Sequence, residues 1–416
     1  VGRRLIDLTP IHLVFGPGGS GVSVLVGAAA LTDVDAPSRS RSGPLSLGTE
    51  RDTLIVTLDP HSYLPARLGV FRVPGDPVAV TADVDLLHLD QLSVVEKAWA
   101  EFTAALTAVG SVRNLLPVVG TLSGVAPGEI VSLPGAQEFL MLRRIRDAAT
   151  SGVWRRIIVD MSGVGDPHAL LRAPALLSTA LERLWPRHAR LAEAAEKPAV
   201  AQLSAAVEGI DRDCQDLTEL FTDPHSVAGH LVLDATDRGR RAAPDQLAVA
   251  DLTGLPLRSV LVSAGESGGS GATVAVADRV RELLIDDPMV DVREIGSGGP
   301  LDRLSRLRKL SVRLPVPSGR PRGSAALTVD KVSGEGVDSA FELGWRQGLP
   351  DPDQLELGRS GDDLLVTVSG FRQPVRLPPV LRRCRVSGAG WENGRLVVGF
   401  SPDPAVWPQG QGGTTS

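Results

Sequence analysis

Gly16-Pro17-Gly18-Gly19-Ser20-Gly21-Val22-Ser23-Val24 is the stretch whose reading decides the fold. The run His12-Leu13-Val14-Phe15 before it reads as a strand, and Val22 to Leu31 after it reads as a helix. A glycine-rich turn between strand and helix lets backbone N–H groups close around an anion, where the helix end adds partial positive charge. The same alternation continues outward. Thr53 to Leu58, Arg156 to Asp160, His230 to Asp234 and Ser259 to Ser263 are short, largely apolar strands. Residues 91–115, 136–150, 170–185, 190–221 and 244–253 carry helical period. Apolar strands alternating with helices predict an α/β fold: a doubly wound, mostly parallel sheet covered on both faces. Ligands in such sheets sit at the carboxyl ends of the strands.

Composition shifts near residue 296. Residues 1–295 read as one α/β domain, and 296–323, rich in Gly, Pro, Ser and Arg, as a linker. Residues 324–403 change to period two, with short strands at 364–368, 373–377, 383–386 and 395–400. Asn393-Gly394 is a hairpin signal. A small all-β sandwich is expected there, followed by a disordered tail at 404–416.

The chain has 416 residues, 43% of them apolar, enough for a large core, and only 4% aromatic, so Leu, Val and Ala must fill it. A net charge of −6 with interspersed signs offers no nucleic-acid face. The longest apolar stretch, Val22 to Leu31, is about half of the roughly 20 residues a membrane-spanning helix needs. Two distant cysteines, Cys214 and Cys384, make neither a disulfide framework nor a metal cluster and fit a reducing compartment. Val1-Gly2-Arg3-Arg4 shows no leader pattern. Together these predict a cytoplasmic protein with no integral membrane segment. Lysine is scarce: only Lys97, Lys197, Lys309 and Lys331 occur.

In a Walker A loop a lysine neutralises the phosphate oxygens and a Ser or Thr binds Mg²⁺. The present loop resembles the deviant form G-K-G-G-V-G-K-T-T of the arsenical-pump-driving and guided-entry (tail-anchored protein) ATPases. It matches at Gly16, Gly18, Gly19, Gly21 and, conservatively, Ser23, but Pro17 and Val22 replace both lysines. Further motifs follow in the family's order. Thr57-Leu58-Asp59-Pro60-His61-Ser62 resembles the first switch, T-D-P-A-H-S, which makes Asp59 the residue that orients the attacking water. Leu133-Pro134-Gly135-Ala136-Gln137-Glu138 resembles the P-G-I-D-E stretch and adds Gly135 to the nucleotide-binding set. Asp160-Met161-Ser162-Gly163-Val164-Gly165 resembles the second switch, with Asp160 as the Walker B acid and Gly165 as the switch glycine. Ser263 stands where the family has an adenine-contacting Asn.

The resemblance, over roughly residues 8–290, implies ATP and Mg²⁺ as the cofactors if any bind, with Ser23 and Asp160 as magnesium ligands. It also implies a dimer closing around nucleotide: a homodimer, or a heterodimer with a paralogue that keeps its lysines. Loss of both lysines implies a catalytically impaired homologue acting as a binding, targeting or chaperone-like subunit, with a protein client as a further partner. The alternative is a weakly active ATPase in which an arginine such as Arg51 or Arg67 compensates. Each residue also has a bland reading: a glycine turn with no ligand for the loop, and helix-capping acids for Asp59 and Asp160.

Leu364-Leu365-Val366-Thr367-Val368-Ser369-Gly370-Phe371-Arg372, then Val375-Arg376-Leu377-Pro378 and Trp391-Glu392-Asn393-Gly394-Arg395-Leu396, resembles the small heat-shock (α-crystallin) module. Gly265-Glu266-Ser267-Gly268-Gly269 satisfies the G-x-S-x-G spacing of a nucleophile elbow. Ser270 and Gly271 prolong the loop, however, so a flexible turn is expected. His168, after Asp166-Pro167, is expected at the surface.

Overall fold

The computed structural model describes residues 8–32, 51–108, 126, 135–265, 269–285, 287–299, 301–319, 327–348, 352–392 and 394–407. Ser267, Leu133, Pro134, Asn393, the end of the helix expected at 91–115 and the tail from 408 lie outside these residues.

An eight-stranded sheet forms the larger body. Its strands are β1 (Ile11–Phe15), β2 (Arg51–Thr57), β3 (Val78–Ala79), β4 (Val84–His88), β5 (Trp154–Asp160), β6 (Val227–Asp234), β7 (Leu257–Ser263) and β8 (Asp291–Ile295). Their order is β3-β4-β2-β5-β1-β6-β7-β8, all parallel except the edge pair β3–β4. Every residue of β1 and β6 is buried, as a central parallel strand with helices on both sides requires.

Alternate residues of each strand face different cores. Leu13, Val56, Val159 and Leu233 join one cluster with Met141, Leu142, Leu217 and Phe221 from the helices Ala136–Thr150 and Pro198–Thr222. Val14, Ile55, Ile158, Val232 and Leu261 face the opposite way, onto the helix Val22–Leu31. That helix is buried along nearly its whole length, and small residues let it approach the sheet. A Cβ at Gly27 would stand 3.1 Å from Leu64 and 3.3 Å from Leu307. Leu307 belongs to the short helix Leu304–Lys309, within the stretch expected to link two domains; with Leu301 and Val312 it is buried in this second cluster.

A row of polar side chains crosses the sheet under the Val22–Leu31 helix. Arg156 donates from Nε to Thr53 Oγ1 (2.7 Å) and from Nη2 to the carbonyls of Ala29, Ala30 and Thr32, which caps the helix end. Beside it the imidazoles of His12 and His230 meet at 3.0 Å, and His230 Nδ1 reaches Ser259 Oγ at 2.8 Å. Burial, with the Arg156 charge adding to it, pushes the His12 pKa down to about 3, and burial pushes that of His230 well below the ordinary value.

Seven antiparallel strands follow: β9 (Thr328–Ser333), β10 (Ala340–Arg346), β11 (Leu355–Ser360), β12 (Asp363–Val368), β13 (Phe371–Arg376), β14 (Cys384–Glu392) and β15 (Arg395–Pro402). They form a four-stranded sheet, β14-β15-β10-β9, and a three-stranded sheet, β11-β12-β13. Their shared core includes Leu343, Val366, Leu396 and Phe400, and also Ala248, Val249 and Leu252 from the helix Asp237–Thr253. At this seam the buried Gln347 donates to Ala248 O (2.8 Å), Gly348 N to Asp251 Oδ2 (2.9 Å) and Ser369 Oγ to Asp245 Oδ1 (2.8 Å).

Candidate functional site

The glycine turn leaves β1 at the carboxyl end of the sheet and enters the Val22–Leu31 helix. Gly19 and Gly21 adopt φ of +80° and +95°, which side-chain-bearing residues rarely reach. At Gly16 the reason for glycine is space: a Cβ would stand 2.1 Å from the Val232 carbonyl oxygen on β6. Ser20 N closes the turn onto Pro17 O at 3.0 Å. The Ser20 hydroxyl is buried without a hydrogen-bond partner among the described residues. Val22, at the expected lysine position, is 5% exposed and packs in the cluster with Val14 and Leu25.

Ser23, Asp160 and Asp59 converge across three elements. Ser23 Oγ lies 2.9 Å from Ser162 Oγ, and Ser162 N donates to Asp160 Oδ1 at 3.0 Å. Asp160 ends β5 with no exposed surface, and its Oδ2 has no partner among the described residues. Burial raises its pKa, the Asp59 charge adds to this, and the Ser162 and Ser23 hydrogen bonds oppose it. Asp59 accepts from His61 N at 2.8 Å. It leans on Gly163, where a Cβ would come within 2.4 Å of the Asp59 carboxyl carbon, so the two switch-like segments touch.

Other predicted residues are placed differently. Gly18 sits on the exposed crest of the turn. Gly135 is the residue before the Ala136–Thr150 helix, at φ +78°; the atoms nearest an added Cβ are Ala173 O and Leu177 Cβ of the helix Pro167–Leu184. Ser263 Oγ would be 3.5 Å from a Cβ at Gly21, so β7 does bring it beside the loop. Arg51 is at the amino end of β2, paired with Asp85 at 2.9 Å, away from the loop end of the sheet. Arg67 lies in the last turn of the helix Leu64–Leu68.

His168 corrects an expectation. It is 2% exposed rather than on the surface. Asp166 caps the Pro167–Leu184 helix through His168 N, and the ring then turns inward, edge-on to both Phe15 (5.3 Å) and Phe371 (6.0 Å). Its Nδ1 meets Thr253 Oγ1 at 3.1 Å, and burial pushes its pKa down to about 4. Phe15 precedes the glycine turn and Phe371 belongs to the sandwich, so one histidine joins the two.

Sequence reasoning missed Arg238. It follows β6, in the first turn of the Asp237–Thr253 helix, which Thr236 caps. Its Nη1 donates to Gly18 O at 2.8 Å, while Nε and Nη2 donate to Asp234 Oδ2 at 3.0 and 2.7 Å. Burial works to raise the Asp234 pKa, but the Thr236 and Arg238 hydrogen bonds and the Arg238 charge outweigh it and hold it low. The sign in the sequence is Asp234-Ala235-Thr236-Asp237-Arg238, a strand ending in an acid and followed by a capped helix.

A parallel sheet with a glycine turn from its central strand into a buried helix, and acids at neighbouring strand ends, is the architecture of a P-loop NTPase. Here it is followed by a small β-sandwich. Residues 346–400 match the model of the HSP20-like domain found in ArsA. Over nearly its whole length the chain is similar to Protein Rv2184c of Mycobacterium tuberculosis, 32% identical over 431 residues, which covers 96% of this chain and 97% of that protein. It is also 29% identical to the Streptomyces coelicolor protein SCO2128 over 96% of this chain and 99% of that one. A "Putative arsenical pump-driving ATPase" of Chlorobaculum tepidum is 20% identical over 224 residues, 51% of this chain and 53% of that protein. The chain belongs to the same family as Protein Rv2184c and is homologous to the ArsA-like, arsenical-pump-type ATPases. Among the described residues no helix is long and apolar enough to cross a membrane.

Proposed function

We propose that this chain is a catalytically impaired P-loop ATPase homologue that holds nucleotide phosphates weakly and serves as a cytoplasmic binding or chaperone-like subunit. One observation carries the reading: the position of the family's loop lysine holds Val22, buried in the apolar core. Phosphoryl transfer depends on positioning and on neutralising charge that builds up in the transition state. A missing charge-assisted hydrogen bond weakens binding by about 1.5–3 kcal/mol, and two are missing.

The remaining donor set fits a phosphate with a hard cation. Gly16, Gly18, Gly19 and Gly21 would wrap the phosphates. Ser23 and Asp160, with its unpartnered Oδ2, would hold Mg²⁺, which supplies charge neutralisation when bound. Asp59 would be a relict of the water-orienting acid. Gly135 would act at one remove, through the Pro167–Leu184 helix. We place the division between the two bodies between β8 and β9, with the HSP20-like sandwich as the chaperone-like part. Arsenite handling is not part of the reading. Burial, with nearby Asp211 and Asp213 adding to it, pushes the Cys214 thiol up to about 12, and Cys384 is buried in the sandwich.

A second reading, a weakly active ATPase, is favoured by the convergence of Ser23, Asp160 and Asp59. Phosphate release from MgATP separates the two. Release at buffer background is expected, whereas release above background that Asp59→Asn abolishes would establish the second. The family resemblance also supports a dimer, with itself or with a lysine-bearing paralogue. Native mass spectrometry of protein from its own host should find it, and a strict monomer at micromolar concentration contradicts it.

A further inference from the structure

We propose that Arg238 supplies the cation that the glycine loop lacks, contacting the phosphates of a nucleoside polyphosphate held there. The proposal rests on the reading that this loop holds phosphate. Three hydrogen bonds fix the guanidinium at the crest of the loop: one to Gly18 O and two to Asp234 Oδ2. A Cβ at Gly19 would stand 3.4 Å from Nη2, so the planar group lies directly against the turn.

The side chain is 57% exposed and open to an incoming ligand. Three of the five guanidinium N–H groups are used, and the other two can reach a planar pair of phosphate oxygens. Asp234 orients the guanidinium while Gly18 O ties it to the loop, so little side-chain freedom is left to lose on binding. Ser20 Oγ inside the turn and Asp160 Oδ2 at the end of β5 lie at the same end of the sheet, both buried and unmatched among the described residues.

Arg72 is tied to the first switch-like segment through the carbonyls of Pro60 and Ser62, whereas Arg238 is tied to Gly18 of the glycine loop itself. Arg238 is thus a binding residue contributed by β6 and its following helix instead of by the loop. Its attachment to Gly18 O makes the cation part of the loop's own geometry.

The test is a calorimetric titration of the full chain with MgATP and, separately, with inorganic pyrophosphate. Arg238→Gln should weaken both ligands at least fivefold, and by the same factor, because the contact is to phosphate. Arg238→Lys should recover part of the loss. A melting curve for each variant reports folding, and a variant that unfolds is replaced by Asp234→Asn, which frees the guanidinium and should weaken binding less. Equal binding by wild type and Arg238→Gln, with a lowered melting temperature, makes Arg238 a strut and overturns the proposal alone. A loss confined to ATP also overturns it. Wild-type protein that binds neither ligand at millimolar concentration overturns the proposal and the reading beneath it together.

Discussion

Two buried polar constellations cross the same parallel sheet, and they are finished to different degrees. Toward the amino end, Thr53, Arg156, His12, His230 and Ser259 stand in a row, with Arg156 closing the Val22–Leu31 helix and the two imidazoles bonded to each other. At the carboxyl end, Ser20 Oγ, Thr57 Oγ1 and Asp160 Oδ2 are buried with no partner among the described residues. Burying a polar group costs free energy unless it is hydrogen-bonded. The two ends of the sheet thus differ in how far their buried polar side chains are paired among the described residues.

Acid should act first on the matched row, through His12, and on His168 at the seam with the sandwich. The folded-state pKa values of His12 and His168 are lowered, to about 3 and about 4, from an ordinary 6.5. Below pH 6.5 the unfolded chain therefore binds protons that the folded chain refuses. Stability falls as pH drops from 6.5 toward 4, by on the order of 5 kcal/mol for the two together. Urea midpoints across that range measure it, and His12→Gln should flatten the slope; a slope indifferent to His12 would count against a neutral buried pair.

Next in size is Arg156→Ala. It orphans Thr53 and three helix-terminal carbonyls, at a cost of about 3 kcal/mol in denaturant unfolding. At the unmatched end the sign should reverse. The raised pKa of Asp160 means that the folded protein prefers its neutral form, so this term weakens stability as pH rises through the raised value. Asp160→Asn should then stabilise the protein at pH 7 by about 1 kcal/mol while abolishing any magnesium dependence of nucleotide binding. A destabilised Asn variant would place Asp160 with the structural row.

The parallel sheet, the loop and strands β1, β2, β5, β6 and β7 were legible because each rests on local period and on glycine chemistry, whereas β3, β4 and β8 carry too little of either. The convergence of Ser23, Asp160 and Asp59 was legible too, since strand ends share one edge of a parallel sheet. Arg238 was not. It meets Gly18 across a sequence separation of 220, which depends on β6 lying beside β1, a fact of global strand order. The burial of His168 escaped for the same kind of reason. Its ring is covered by Phe371 of the sandwich, and the seam that places Phe371 is built from Gln347, Asp251 and Ser369, residues with no periodic signature.

The central claim is that the carboxyl-end site keeps its frame and lacks its loop lysines. Titration of a fluorescent ATP analogue with Mg²⁺ into wild-type protein and Val22→Lys tests it most directly. A lysine at 22 can lay its stem over the core surface that Val22 covers and lift its ammonium to the loop. The account predicts a wild-type dissociation constant weaker than ~100 μM and at least a tenfold gain in Val22→Lys, the order of one charge-assisted hydrogen bond. Wild-type binding at low micromolar strength, unchanged by the added lysine, would contradict it.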